Sequence, residues 1–109
     1  MRVLVANEPL AYREVISAAL RELRPQVEVH TIEPTGLHRE LRRLTPGLVV
    51  CSQATALLEH EVPAWVELYP QHTSKAVVSL AGRKTVFEEM DFATLLSIID
   101  EARNLCESA

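Results

Sequence analysis

Apolar and polar positions along this chain change period several times, and each change predicts an element. Residues 3–6 form a continuous apolar run, the pattern of a strand covered on both faces. Helical spacing begins directly afterwards. Val15, Ala19 and Leu23 fall four apart, with Ile16 and Leu20 beside them, while Arg13, Glu14, Arg21 and Glu22 fill the other side. A strand is therefore expected over residues 2–6. Asn7 or Glu8 is expected to cap the helix that follows, which Pro9 can enter in its first turn and Pro25 stops. Residues 27–32 alternate, with Val27, Val29 and Thr31 on one side and Glu28 and His30 on the other, as in a strand with one face partly wet. Pro34-Thr35-Gly36 opens a second helix with a narrow stripe of Leu37, Leu41 and Leu44, closed by Pro46 and Gly47. Residues 48–51 are a second continuous apolar run and read as the central strand. A short helix over residues 52–60, capped by Ser52 or Thr55, cannot extend past Pro63.

The last third leaves this alternation. Residues 65–69 and 76–80 both have strand composition, and too few residues join them for a crossover helix. They are expected to pair as an antiparallel hairpin across a polar turn at residues 70–74. Residues 81–84 make the next turn, and residues 85–87 can add a short extended piece. Asp91 is placed to cap a final helix whose apolar face is Phe92, Leu95, Leu96, Ile99, Ala102 and Cys106. The fold class predicted is α/β, in three layers, with five or six strands. The first three strands are parallel in order 2-1-3, and the hairpin stands in place of a strand–helix unit.

Composition narrows the class without naming a function. At 109 residues the chain suits one domain over residues 1–109 with a single core. Aromatic residues are only 5% of it, so the core must be aliphatic. A net charge of −4 disfavours a general nucleic-acid binder, which needs a concentrated positive field. Met1 leads straight into the first strand, and no apolar run approaches membrane-spanning length. A cytoplasmic protein is expected, with no membrane partner. Cys51 lies inside an apolar run and Cys106 far from it, so reduced thiols are expected and a metal site is not.

The opening Arg-Val-Leu-Val-Ala-Asn-Glu-Pro-Leu resembles the start of bacterial response-regulator receiver domains, where an apolar strand ends in an acidic pair. Residues 46–52, Pro-Gly-Leu-Val-Val-Cys-Ser, resemble that family's third strand, which ends in the phosphate-accepting aspartate. Asp91-Phe92 resembles the start of its last helix. The resemblance covers residues 1–60 and 91–105 and implies a flavodoxin-like, receiver-like sheet. It also implies that the family's chemistry is missing. Ala6 and Asn7 stand at the acidic pair, Ser52 at the phosphoacceptor and Met90 at the lysine, and the family's fourth helix has no counterpart. Magnesium needs hard anionic oxygens, which one amide and a displaced Glu8 supply poorly. The resemblance therefore implies a pseudo-receiver that cannot be phosphorylated in the usual way, with no cofactor and no catalytic residue.

Other motifs add little. Residues 79–85 echo a phosphate-binding loop, but Arg83 separates Gly82 from Lys84 and the following residues look extended, so an ordinary basic turn is expected. His30, His38, His60 and His72 show no metal spacing and read as surface residues. The basic face of the second helix, His38, Arg39, Arg42 and Arg43, reads as solvated. Two functional readings remain. In one, the chain signals by contact with a protein partner or a second copy. Trp65, Val66, Leu68 and Tyr69 would then form an interface at the hairpin edge, because they place more apolar bulk there than one buried face can hide. The competing expectation for these residues is core packing under the last helix, which would leave a monomer. In the other reading, Asn7, Glu8 and Ser52 line a crevice at the carboxyl ends of strands one and three that binds a small ligand or nucleotide.

Overall fold

The computed structural model describes residues 1–69 and 73–108. Its strands are β1 (Arg2–Ala6), β2 (Glu28–Thr31), β3 (Leu48–Cys51), β4 (Ala64–Leu68), β5 (Ala76–Leu80) and β6 (Arg83–Phe87). Its helices are α1 (Leu10–Leu23), α2 (Leu37–Leu44, entered through the 3₁₀ turn Pro34–Gly36), α3 (Ala56–Glu61) and α4 (Phe92–Ser108). The six strands make one mixed sheet in the order β2-β1-β3-β4-β5-β6. The first four are parallel, with Val3 beside Val29 and Leu48, and Val50 beside Val66. From β4 onward the pairing is antiparallel, Val66 against Val78 and Val78 against Thr85. The parallel set in order 2-1-3 and the hairpin of residues 65–69 with 76–80 are thus as expected, and the extended piece near residues 85–87 is the sixth strand. Of the polar turn between β4 and β5, Pro70, Gln71 and His72 lie outside the described residues.

Strand alternation divides the core into two layers of apolar contact. Val3, Val5, Val50, Val66, Leu68 and Val78 point to the side where Ile16 and Leu20 of α1 and Leu95, Ile98, Ile99 and Ala102 of α4 pack. Leu4, Val49, Cys51 and Trp65 point to the other side, against Leu37, Leu41 and Leu44 of α2 and Leu58 of α3. The continuous apolar runs of β1 and β3 are completely enclosed because helices cover both faces there. The second helical layer is the thinner one. Helices α2 and α3 do not extend over β6, and Val86 on that side is 62% exposed.

Three local expectations are corrected. Helix α1 buries Arg13, Ile16, Ser17 and Leu20, leaving Val15 68% exposed. The buried arc is rotated from the apolar one, and it can include Ser17 because Ser17 Oγ accepts a hydrogen bond from Thr31 Oγ1 of β2 at 2.8 Å. Pro9 itself stands at the N-cap position of α1, with no side-chain cap, so neither Asn7 nor Glu8 fills that role. Finally, residues 65–69 do not lie at an exposed margin. Strand β4 is hydrogen-bonded between β3 and β5, and Trp65, Val66 and Leu68 are each at most 3% exposed. Their apolar bulk is distributed over two buried faces. Lys84 completes the cover of Trp65, its Nζ lying 5.7 Å from the ring centroid and 2.6 Å from Glu59 Oε1.

The β5–β6 turn is a two-residue loop in which Ala81 and Gly82 both have positive φ, 51° and 85°. That is the geometry of a type I′ turn, whose twist matches antiparallel strands. Alanine is strained there, whereas asparagine tolerates the left-handed region. Replacing Ala81→Asn is expected to stabilise the fold by about 0.5–1 kcal/mol, a rise of roughly 3–6 °C in Tm. Thermal unfolding followed by circular dichroism measures it.

Candidate functional site

Parallel pairing brings the carboxyl ends of β1, β3 and β4 to one edge of the sheet, where chain leaves for loops in both directions. A cleft of about 700 Å³ opens there, lined among others by Glu8, His38, Ser52, Glu67 and Tyr69. Two of the three residues expected in the crevice, Glu8 and Ser52, line it. Asn7 does not, being completely buried below.

All but one of the polar side-chain atoms described at and beneath the cleft floor are bonded within the protein. Asn7 Nδ2 reaches past β3 and donates to the carbonyl of Leu68 at 3.3 Å, tying the end of β1 to the end of β4. Its Oδ1 is buried without a hydrogen-bond partner. Ser52 Oγ accepts from Glu8 N at 2.8 Å and donates to Glu8 O at 3.4 Å, so the β1–α1 and β3–α3 loops are stapled together. Glu67 Oε2 accepts from Ala54 N at 2.8 Å. Thr55, not Ser52, caps α3, accepting from Leu58 N at 3.3 Å while its hydroxyl meets His38 Nε2 at 2.9 Å. Tyr69 closes the far wall. Its hydroxyl donates to Met90 O at 2.7 Å, and its ring stands edge-on to Tyr12 at 6.3 Å.

Charge limits what the cleft can hold. Glu8 and Glu67 supply two carboxylates, and among the lining residues only His38 can become positive. Neither the residues nor their sign fits a phosphate. Among the described residues there is no cluster of three or more His, Cys, Asp or Glu able to hold a metal ion. Cys51 lies in the cleft wall, but burial, with the nearby Glu67 charge, pushes its thiol up to about 12. It is a neutral donor to Val66 O, at 3.7 Å, and not a nucleophile. Burial, then Asp91 and Tyr12, also raises the Tyr69 phenol above its ordinary value.

The remaining candidates stay apart from this site. Ser79 pairs with Trp65 near the amino end of β4, away from the cleft. The residues that echo a phosphate loop form the tight turn and then β6, with no helix after them. On α2, Glu40 sits among the arginines, 2.7 Å from Arg43 and 3.9 Å from Arg39, which lowers the positive field of that face. His72 is outside the described residues. Sequence reasoning missed Glu67, Tyr69 and His38 as cleft residues. The available signal was Glu67 itself, a lone carboxylate inside the apolar stretch 64–68.

No helix among the described residues is long and apolar enough to cross a membrane. Comparison of the chain with protein-family models, with curated proteins and with solved structures finds no match.

Free Cys51 and Cys106 differ in access, one buried and one exposed. In the native protein near neutral pH, a thiol reagent is expected to label one equivalent, at Cys106, and a second only after denaturation. Mass spectrometry of the labelled chain checks this. The unfolded thiol ionises near 9.0 and the folded one near 12, so the contribution of the neutral Cys51 thiol to folding stability is complete below about pH 9 and is lost progressively as pH rises toward 12.

Proposed function

We propose that this chain is a receiver-like, flavodoxin-like module that acts by contact and not by catalysis, without the aspartyl phosphorylation of the family it resembles. The observation that carries the reading is the state of the crevice residues. Ala6, Asn7 and Ser52 occupy the positions that would be acidic; Asn7 Nδ2 holds the end of β4 and Ser52 Oγ holds the loop at Glu8. A receiver needs free carboxylate oxygens there to carry Mg²⁺ and phosphate. The strand order 2-1-3-4, with α1 and α4 on one side of the sheet and α2 and α3 on the other, supports the same kinship. In this reading the protein is cytoplasmic, holds no cofactor, and meets a protein partner or a second copy of itself rather than nucleic acid or membrane.

A second reading has one observation in its favour, the cleft of about 700 Å³, a volume that suits a small molecule. The carboxylates of Glu8 and Glu67 select a neutral or cationic occupant over a nucleotide.

Phosphorylation is the direct test. Incubation with Mg²⁺ and acetyl phosphate is expected to leave the intact mass unchanged. A stoichiometric gain of a phosphoryl group would overturn the contact reading.

A further inference from the structure

Strand β6 is the outer strand of the sheet on its antiparallel side, and its hydrogen-bonding parity follows from the strands before it. Tyr69 N donates to Lys75 O, and Ala81 N donates to Pro63 O. The odd-numbered residues of β5 therefore turn their amides and carbonyls toward β4, and the even-numbered ones turn toward β6. Ala76, Val78 and Leu80 pair with Phe87, Thr85 and Arg83. The main-chain groups of Lys84 and Val86 are left facing outward, a ready template for another strand.

What such a strand must look like is written in the side chains. The segment around β6 reads Arg83-Lys84-Thr85-Val86-Phe87-Glu88-Glu89. It carries two cations before its centre, two anions after it, and apolar or neutral residues between. A charged edge strand repels most neighbours, and lysine at an edge normally prevents pairing. It does not repel a strand that offers acid at the matching positions, and this segment offers that to itself.

We infer that β6 pairs with β6 of a second copy, antiparallel about a two-fold axis at Val86, so that two sheets become one continuous sheet. In that register Val86 faces its symmetry mate, and each donates its outward amide to the other's outward carbonyl. Lys84 lies opposite Glu88 of the second copy, and Arg83 opposite its Glu89. The chain bends after Phe87, so these outer pairs meet through side chains. All four charged groups are exposed, and the side chains of Lys84 and Glu88 are 57% and 79% accessible; within one copy Lys84 pairs with Glu59 at 2.6 Å and Glu88 with Lys75 at 3.8 Å, and the dimer contacts add to or exchange with these exposed pairs. Val86, among the most exposed large apolar residues at 62%, becomes covered; it lies on the same face of the sheet as its neighbour Val77, which is half-buried. This names a partner for the contact reading and rests on it only in that sense. The phosphorylation experiment and the association experiment fail independently.

The interface is an edge and not a broad face, so the dimer is of modest affinity and concentration decides its population. Sedimentation equilibrium of the full chain is expected to show dimer at about 100 µM, dissociating on dilution and with added salt. Lys84→Glu and Glu88→Lys should each weaken self-association about ten-fold, because each sets like charges opposite one another in both halves. Mixed together, these two variants should form a heterodimer, since at positions 84 and 88 the first then presents only acid and the second only base, while the Arg83–Glu89 pairs are kept. Hydrogen exchange supplies a readout without substitution: the Val86 amide should gain protection as protein concentration rises. A wild type monomeric at about 100 µM overturns the inference. So does a dimer whose affinity both charge reversals leave unchanged, or a Val86 amide whose exchange is independent of concentration.

Discussion

Strand β4 is hydrogen-bonded along both edges and enclosed on both faces, and each of its four boundaries is a different kind of contact. Toward β3 it is parallel, reached by a crossover through the short helix α3. Toward β5 it is antiparallel. Val66 and Leu68 meet α4 and its neighbours on one face, and Trp65 meets α2, α3 and Lys84 on the other. The carboxyl end of β4 supplies Glu67 and Tyr69 to the cleft, and its Leu68 carbonyl holds Asn7. If β4 lost its place, the two halves of the sheet would separate and the cleft would lose a wall.

That position also explains which parts of the molecule were legible beforehand. The enclosed strands β1 and β3 are readable because residues 3–6 and 48–51 are apolar without interruption, and only a strand covered on both sides tolerates that. The β4–β5 pairing is readable from the short distance between the two strand-like segments. The direction of β4 relative to β3 was the harder matter. Treating β4 as half of an appended hairpin places its apolar residues at a margin. Its parallel alignment with β3 puts them inside the sheet and brings its carboxyl end to the cleft. The rotation of α1 was illegible for another reason. Its apolar side chains mark one arc, but the buried arc includes Ser17, whose hydroxyl is satisfied by Thr31 of β2, and periodicity carries no trace of such a bond.

The candidate site was half legible. Glu8 and Ser52 line the cleft as their place after β1 and β3 implies. Whether a polar group at such a place faces outward or is spent inward depends on its neighbours. The amide of Asn7 bonds across the sheet, and the hydroxyl of Ser52 bonds across two loops. The same atoms in an acidic version of the site would repel one another without a cation between them. In this chain the amide nitrogen of Asn7 and the hydroxyl of Ser52 at those places are held by the protein's own main chain.

Trp65 is the only tryptophan in the chain, and it lies where the parallel half of the sheet meets the antiparallel half. Its indole is shielded from water, with the Lys84 ammonium of the outermost strand resting over it. The molecule therefore carries its own optical reporter at its structural seam. Emission from this one side chain registers the environment of β4 without an introduced label. The charge poised above the ring makes the same signal sensitive to displacement of β6, so fraying of the outer strand and loss of the core would leave different spectral signatures.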